Sequence, residues 1–193
     1  NNGLNARDAV GAGTPAYFYV RDSILKANAS ITAGGYSVES YGIYAYGNGF
    51  FCVNTEVTGF KVGALSHSGH SIVANCTFDN LDYNLQSYFI DSYNSVLKNA
   101  KYGILNDGAR SIIIDTEIIG KKTPGSIGIQ ESGSGMQLFS SALSPSSSDL
   151  DSMISYVESA YPDAPHHDMI VSGYDIGLQC DSSTQMEIAG IEV

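Results

Sequence analysis

Four groups of side chains in this 193-residue sequence are of types that do chemistry. The first is acidic: Asn54-Thr55-Glu56 and Asp115-Thr116-Glu117 share one pattern. Cleavage of a glycosidic bond needs two flanking carboxyl groups, one as acid and one as base or nucleophile, so Glu56, Asp115 and Glu117 are candidates. The second group is Asp107, Arg110 and Asp115 in NDGARSIIID. Acids that hold Ca²⁺ beside a cation that acidifies an α-proton would support elimination. The third is histidine. His166-His167-Asp168 is the most metal-like cluster, but neighbouring histidines in an extended segment point apart, so one metal does not take both. His67 and His70 sit in a Gly/Ser loop without a further ligand set, and exposed polar loops are expected for both histidine groups. The fourth is tyrosine, at Tyr36, Tyr41, Tyr44 and Tyr46 and again at Tyr83, Tyr88 and Tyr93. A ring face with a polar tip suits sugar- or protein-binding surfaces. Tyr41, Tyr44, Tyr46, Tyr88 and Tyr93 are therefore candidate carbohydrate- or partner-binding residues.

Bulk composition narrows the partners. Hydrophobic residues make up 43% and charged residues only 15%, with 21 Gly and 13 Tyr. A surface of Ser, Asn, Thr and Gly follows. Nine basic residues against 20 acidic ones give a net charge of −11, which disfavours nucleic acid, since phosphate binding needs clustered Lys and Arg. No apolar run reaches the length of a membrane span. Cys52, Cys76 and Cys180 lack CxxC spacing, so neither a disulfide framework nor a zinc site is expected, and all three read as small core residues. The start at Asn1 reads as a processed product or an excerpt. The sequence calls for no cofactor and no metal.

What must position these groups is a repeat. GIYAYGNGFFCVNTEVTG from Gly42, GALSHSGHSIVANCTFDN from Gly63 and GILNDGARSIIIDTEIIG from Gly103 share one plan: Gly, an apolar residue, a polar turn, then an apolar-alternating run with Asn or Asp inside it. Copies also start at Gly128, at Gly177 and, with Asn in place of Gly, at Asn84. The starts step by 21, 21, 19, 25 and 49 residues. Periods near 20 with short strands and no intervening helices indicate a solenoid. The Leu/Asn spacing of leucine-rich repeats and the helical periodicity of ankyrin or tetratricopeptide repeats are missing. A parallel β-helix of about seven coils is expected, a rod of roughly 34 Å at one strand spacing per coil.

On this coil pattern the chain resembles the pectate-lyase-like right-handed parallel β-helix superfamily over nearly its whole length, most closely a phage tailspike or tail-fibre segment. The polygalacturonase-type members of that fold carry an Asn-Thr-Asp triplet, an Asp pair, Gly-His-Gly and Arg-x-Lys. Here Asn54-Thr55-Glu56 matches the first loosely and Ser68-Gly69-His70-Ser71 the third more loosely, while the Asp pair and Arg-x-Lys are missing. The repeat offers another account of the triplet. The fifth strand positions are Asn54, Asn75, Asn99, Asp115 and Ser140, a polar column in register. Stacked Asn side chains at a turn bond one another along the rod. Asn54, Asn75, Asn99 and Asp115 are thus read as a structural ladder, and the catalytic residues as none, with Glu56, Asp107, Arg110, Asp115 and Glu117 as the alternative.

One segment departs from the plan. Leu150, Met153, Ile154 and Val157 fall on one helical face, with Ser and Asp before them and Pro162 after. A helical insertion near 146–161 is expected within a helical/loop excursion at 144–173. The whole, 1–193, reads as a single β-helix domain: a lead-in at 1–21, coils at 22–143 and 174–193. The last coil, ending GIEV, would expose strand edges, so a continuation or a partner chain is expected to cover it.

The functional expectation is a structural and receptor-recognition module of a virion appendage, extracellular, homotrimeric or bound to neighbouring virion proteins, with cell-surface polysaccharide as a further partner. The alternatives are a polysaccharide hydrolase or lyase of the same fold, and a secreted adhesin or surface-layer component.

Overall fold

A computed structural model describes residues 4–7 (backbone only), 18–27, 40–46, 49–140, 148–181 and 185–193. These residues form a parallel β-helix of three sheets, each strand pairing with its counterpart one coil away. Sheet one holds β1 (Leu4–Arg7), β4 (Tyr41–Tyr46), β7 (Val62–Ser66), β10 (Tyr83–Ser87), β13 (Tyr102–Asn106), β16 (Ile127–Glu131) and β19 (Ile176–Cys180). Sheet two holds β2 (Phe18–Arg21), β5 (Phe50–Val53), β8 (Ser71–Ala74), β11 (Ile90–Tyr93), β14 (Ser111–Ile114), β17 (Met136–Phe139) and β20 (Met186–Ala189). Sheet three holds β3 (Ile24–Lys26), β6 (Glu56–Thr58), β9 (Thr77–Asp79), β12 (Val96–Lys98), β15 (Glu117–Ile119) and β18 (Ile170–Ser172). The one described helix, α1 (Ser148–Ala160), interrupts the sixth coil between β17 and β18.

Each coil drives one set of apolar residues into the rod. Val57, Phe78, Leu97 and Ile118 point inward from sheet three, and Ile43, Ala64, Leu85, Ile104 and Ile129 from sheet one, all at or near zero exposure. A fully buried residue of this kind contributes about 1.5–3 kcal/mol. The glycines that open the repeats have a steric reason. A Cβ on Gly42 would collide with Val57 and with the Gly63 carbonyl, and one on Gly103 would collide with Ile118. Asn84 replaces glycine once, and its buried amide is absorbed: Oδ1 accepts from the Asn80 backbone N–H at 3.1 Å and Nδ2 donates to the Lys98 carbonyl at 3.1 Å.

The corner between sheets two and three is built from a two-residue unit. Asp22, Asn54, Asn75, Asn94 and Asp115 all have φ between 45° and 52°. Asn and Asp tolerate this left-handed region better than other side chains, which is why a strand run breaks at them. The residue after each is Ser23, Thr55, Cys76, Ser95 or Thr116, and each donates its hydroxyl or thiol to the carbonyl two positions earlier, at 2.7, 2.9, 3.2, 2.9 and 2.9 Å. The outer residue of the pair sets the turn and the inner one closes it.

α1 binds the outer face of sheet two, which is apolar on both sides. Leu150 (0% exposed) and Val157 (2%) pack with Phe51, Val53, Ile72, Ala74, Ile112 and Ile114, flanked by Met153 and Ile154. The expected helical face is the one that packs. Asp149 and Asp151 lie in the first turn, where carboxylates complement the helix dipole.

Three sequence expectations change. The stretch 1–21 is not only a lead-in, because Leu4–Arg7 and Phe18–Arg21 pair with β4 and β5 as part of a first coil. Leu4 pairs with Ile43, nearly two coil lengths away, so the repeat spacing hides that coil. Likewise β18 lies inside the stretch read as insertion, at its return into the rod. Finally, Cys52 and Cys76 are buried but Cys180 is exposed, because it ends β19, whose single partner among the described strands is β16. No described helix is long and apolar enough to cross a membrane.

Candidate functional site

The corner asparagines form a directed chain of amides. Asn94 Nδ2 approaches Asn75 Oδ1 at 3.5 Å, Asn75 Nδ2 donates to Asn54 Oδ1 at 3.1 Å, and Asn54 Nδ2 donates to Asp22 Oδ1 at 2.8 Å. Tyr161, just past α1, donates its hydroxyl to the same Asp22 oxygen at 2.7 Å. The amide of Asn54 and then the Tyr161 hydroxyl hold the Asp22 carboxyl below its ordinary range. Burial, then the bond to Asp22, pushes the Tyr161 hydroxyl up. Asn99, expected in this ladder, stands one corner further on at the end of β12, with φ 68°, and donates to Asp79 Oδ1 at 2.9 Å. Asn94 takes the ladder position instead. Asn99 follows the sheet-three strand of that coil, β12, whereas the recurring Asn/Asp-Ser/Thr/Cys dipeptide singles out Asn94-Ser95 and also Asp22-Ser23.

The excursion closes over this ladder. Asn94 Nδ2 donates to the Pro165 carbonyl at 2.9 Å, while its Oδ1 accepts from the His167 backbone N–H at 2.9 Å. One amide thus docks a whole segment. His167 Nδ1 lies 3.0 Å from Glu117 Oε1. At the other end of the excursion His70 Nε2 sits 2.7 Å from Asp91 Oδ2 and Nδ1 3.7 Å from Asp149 Oδ2, with the ring stacked on Phe89 at 3.9 Å. His70 and His167 are therefore not exposed loop residues but half-buried fasteners at the two ends of the strap. His67 and His166 are exposed. Among the described residues no group of three or more His, Cys, Asp or Glu is placed to hold a metal.

Between the ladder and the outer face of sheet three lies a polar groove. One compartment, about 510 Å³, runs beneath the 160–167 segment along Asn54, Asn75 and Asn94. The other, about 620 Å³, opens along Asp22, Glu56, Asp79 and Lys98. The two share Asn54, Asn75 and Thr77, so they are one groove spanning four coils, roughly 14 Å between the first and fourth strands. Its walls offer amides, hydroxyls and charges of both signs.

The acidic candidates belong to different coils, Glu56 to the second and Asp107, Asp115 and Glu117 to the fifth. Glu56 and Glu117 occupy the same register column of sheet three, three strands apart through Thr77 and Val96, roughly 14 Å along the rod. Glu56 lies 3.5 Å from Lys26, and Glu117 faces His167. Arg110 precedes β14 and Asp115 follows it, which separates them by roughly 16 Å of extended chain. Arg110 is 3.8 Å from Glu187, Asp107 is exposed at a turn, and Asp115 is 6% exposed at the corner.

The tyrosines divide. Tyr41 and Tyr44 lie 5.1 Å apart on the outer face of β4, and Tyr44 and Tyr46 both contact the His67 ring, at 5.6 and 5.5 Å. Tyr46 and Tyr88 are exposed. Tyr93 is not a surface residue: it faces out of sheet two, but α1 covers that face and Glu158 accepts its hydroxyl at 3.2 Å. Burial, with Glu158 beside it, pushes the Tyr93 hydroxyl up to about 12. Sequence periodicity places Tyr93 outward and carries no sign of what lies over it.

Comparison of the chain with protein-family models, with curated proteins and with solved structures gives no match.

Proposed function

We propose that the chain is a structural and recognition β-helix module of an extracellular appendage, of the tailspike or tail-fibre kind, and that the asparagine groove binds neutral surface carbohydrate. The observation that carries this reading is the row of corner amides in three consecutive coils, Asn54, Asn75 and Asn94, walled by hydroxyls and by charges of both signs. An amide carries two donors and two acceptor positions; at Asn54 and Asn75 the ladder uses one of each, which leaves a donor and an acceptor position at each of the two for the groove they line. Donor–acceptor pairs one strand spacing apart, roughly 4.8 Å, lie close to the length of one pyranose unit in an extended chain. Assembly of the rods into a trimer, or onto neighbouring appendage proteins, belongs to the same proposal.

The test is a glycan array probed with the intact chain, followed by size analysis of any polysaccharide that binds. Binding of neutral glycans, lost in Thr77→Arg and accompanied by unchanged chain lengths, is the expected result. A blank array overturns the reading, and shortened chains replace recognition with cleavage.

A further inference from the structure

The corner of the first coil borders a second cleft, on the sheet-two side. Tyr19, Arg21 and Phe51 form one wall and Asp149, Met153 and Tyr156 of α1 the other, enclosing about 610 Å³. That volume lies within the range of small-ligand sites. Tyr19 is 70% exposed, yet its ring lies on Phe51 with centroids 5.0 Å apart and 22° between the planes. Phe51 belongs to the cluster beneath α1, so one face of the Tyr19 ring is held by the core and the other is bare. Opposite it, Tyr156 is fixed by the Arg21 guanidinium, whose Nη1 donates to its hydroxyl at 2.9 Å.

The charges at the rim select the ligand. Arg21 Nε is 3.2 Å from Asp22, and Asp149 stands across the cleft with 62% of its side chain exposed. An anion would meet Asp149, and a cation would meet Arg21. A neutral ring with one C–H face and peripheral hydroxyls stacks on the bare tyrosine face and hydrogen-bonds to both signs at the rim. The cleft and the groove already described meet at one corner, because Arg21 lines the cleft and Asp22, the next residue, lines the groove and ends the amide ladder.

We propose that this cleft is a pyranose subsite with Tyr19 as its stacking platform, and that one glycan chain occupies the asparagine groove, crosses the Arg21–Asp22 corner and ends against Tyr19. The inference rests on the reading of the groove as a carbohydrate site. It makes the ligand longer than the groove alone accommodates.

Calorimetric titration with gluco-, manno- and galacto-oligosaccharides of increasing length tests it. In the series that binds, affinity rises with length until both sites are filled. Tyr19→Ala, and Ser152→Arg from the exposed side of α1, each lower the affinity of the long members about tenfold and leave the short ones unchanged. Tyr19→Phe retains full affinity, since the stacking face persists. The inference is overturned if long oligosaccharides bind Tyr19→Ala and Ser152→Arg as tightly as wild type while Thr77→Arg abolishes binding. If no oligosaccharide binds wild type, the groove reading itself fails, which is a distinguishable result.

Discussion

Replacement of Asn75 separates the two jobs of a corner asparagine. Its backbone sits at φ 52°, its Nδ2 donates to Asn54 at 3.1 Å, and its Oδ1 lies 3.5 Å from Asn94 Nδ2. For Asn75→Ala, the left-handed conformation costs about 1 kcal/mol. The lost bond to Asn54 removes about 1 kcal/mol more, and the longer contact to Asn94 less than that. The sum is a destabilisation of about 2 kcal/mol. Asn75→Gly loses the same bonds but accepts the conformation, so it should fall about 1 kcal/mol below wild type. Urea unfolding followed by circular dichroism measures both, with the m-value checked for constancy. Equal losses in the two variants would falsify the conformational part of the argument. No loss in either would show that the ladder supports nothing and that these asparagines serve the groove alone.

Other consequences follow from the same contacts. Leu150→Ala opens a cavity between α1 and sheet two and should cost about 2–5 kcal/mol, with increased binding of a hydrophobic dye as the strap loosens; an unchanged melting temperature would refute tight docking. The Asp22 carboxyl is held below its ordinary value of 3.8, so its contribution to stability is fully present above that pH and is lost as pH falls through the lower folded value. Asp22→Asn should remove this part of the acid dependence, and parallel acid-unfolding curves for the two proteins would count against it. Thiol titration of the native chain should report Cys180 alone, since Cys52 and Cys76 lie buried with their sulfurs 3.7 Å apart. The bond to Cys76 first, and burial second, push the Cys52 thiol up. Cys76→Ser should stay within about 1 kcal/mol of wild type, because Ser95 and Thr116 fill the same corner position with hydroxyls.

The coils were legible because each one must solve the same steric problem with the same residues. Gly42, Gly63 and Gly103 recur because a Cβ at those points has nowhere to go, and that recurrence sets the period in the sequence. The first coil was legible only from residue 22, at its third strand, because its first two strands lack that period. Its strands pair with β4 and β5 across long intervening stretches, and pairing in space leaves no mark on local spacing. The helix was visible through Leu150, Met153, Ile154 and Val157, whose helical periodicity needs no partner to be recognised. The face it would cover was not visible. An outward apolar column such as Val53, Ala74, Tyr93 and Ile114 reads the same whether a strap, a second chain or nothing lies above it.

The site is a different kind of object from the coils. Asn54, taken alone, is compatible with a catalytic triplet, and its neighbours Thr55 and Glu56 strengthen that impression. The structure divides the triplet among three unrelated tasks. Asn54 sets a left-handed corner and passes an amide bond to Asp22, Thr55 closes the turn onto the Val53 carbonyl, and Glu56 faces outward beside Lys26. A repeat that makes Asn-Thr-Glu for steric reasons therefore resembles the triplet of an active-site signature, while Glu56 and Glu117 stand roughly 14 Å apart along the rod. The groove draws its remaining walls from Tyr161 and the segment up to His167, which return from an excursion more than a hundred residues after Asn54. No periodic rule links them, because only the closure of α1 over sheet two brings them to the ladder. In a solenoid the repeat fixes the backbone and presents a regular array of amides, and a break in the repeat turns one stretch of that array into the wall of a groove.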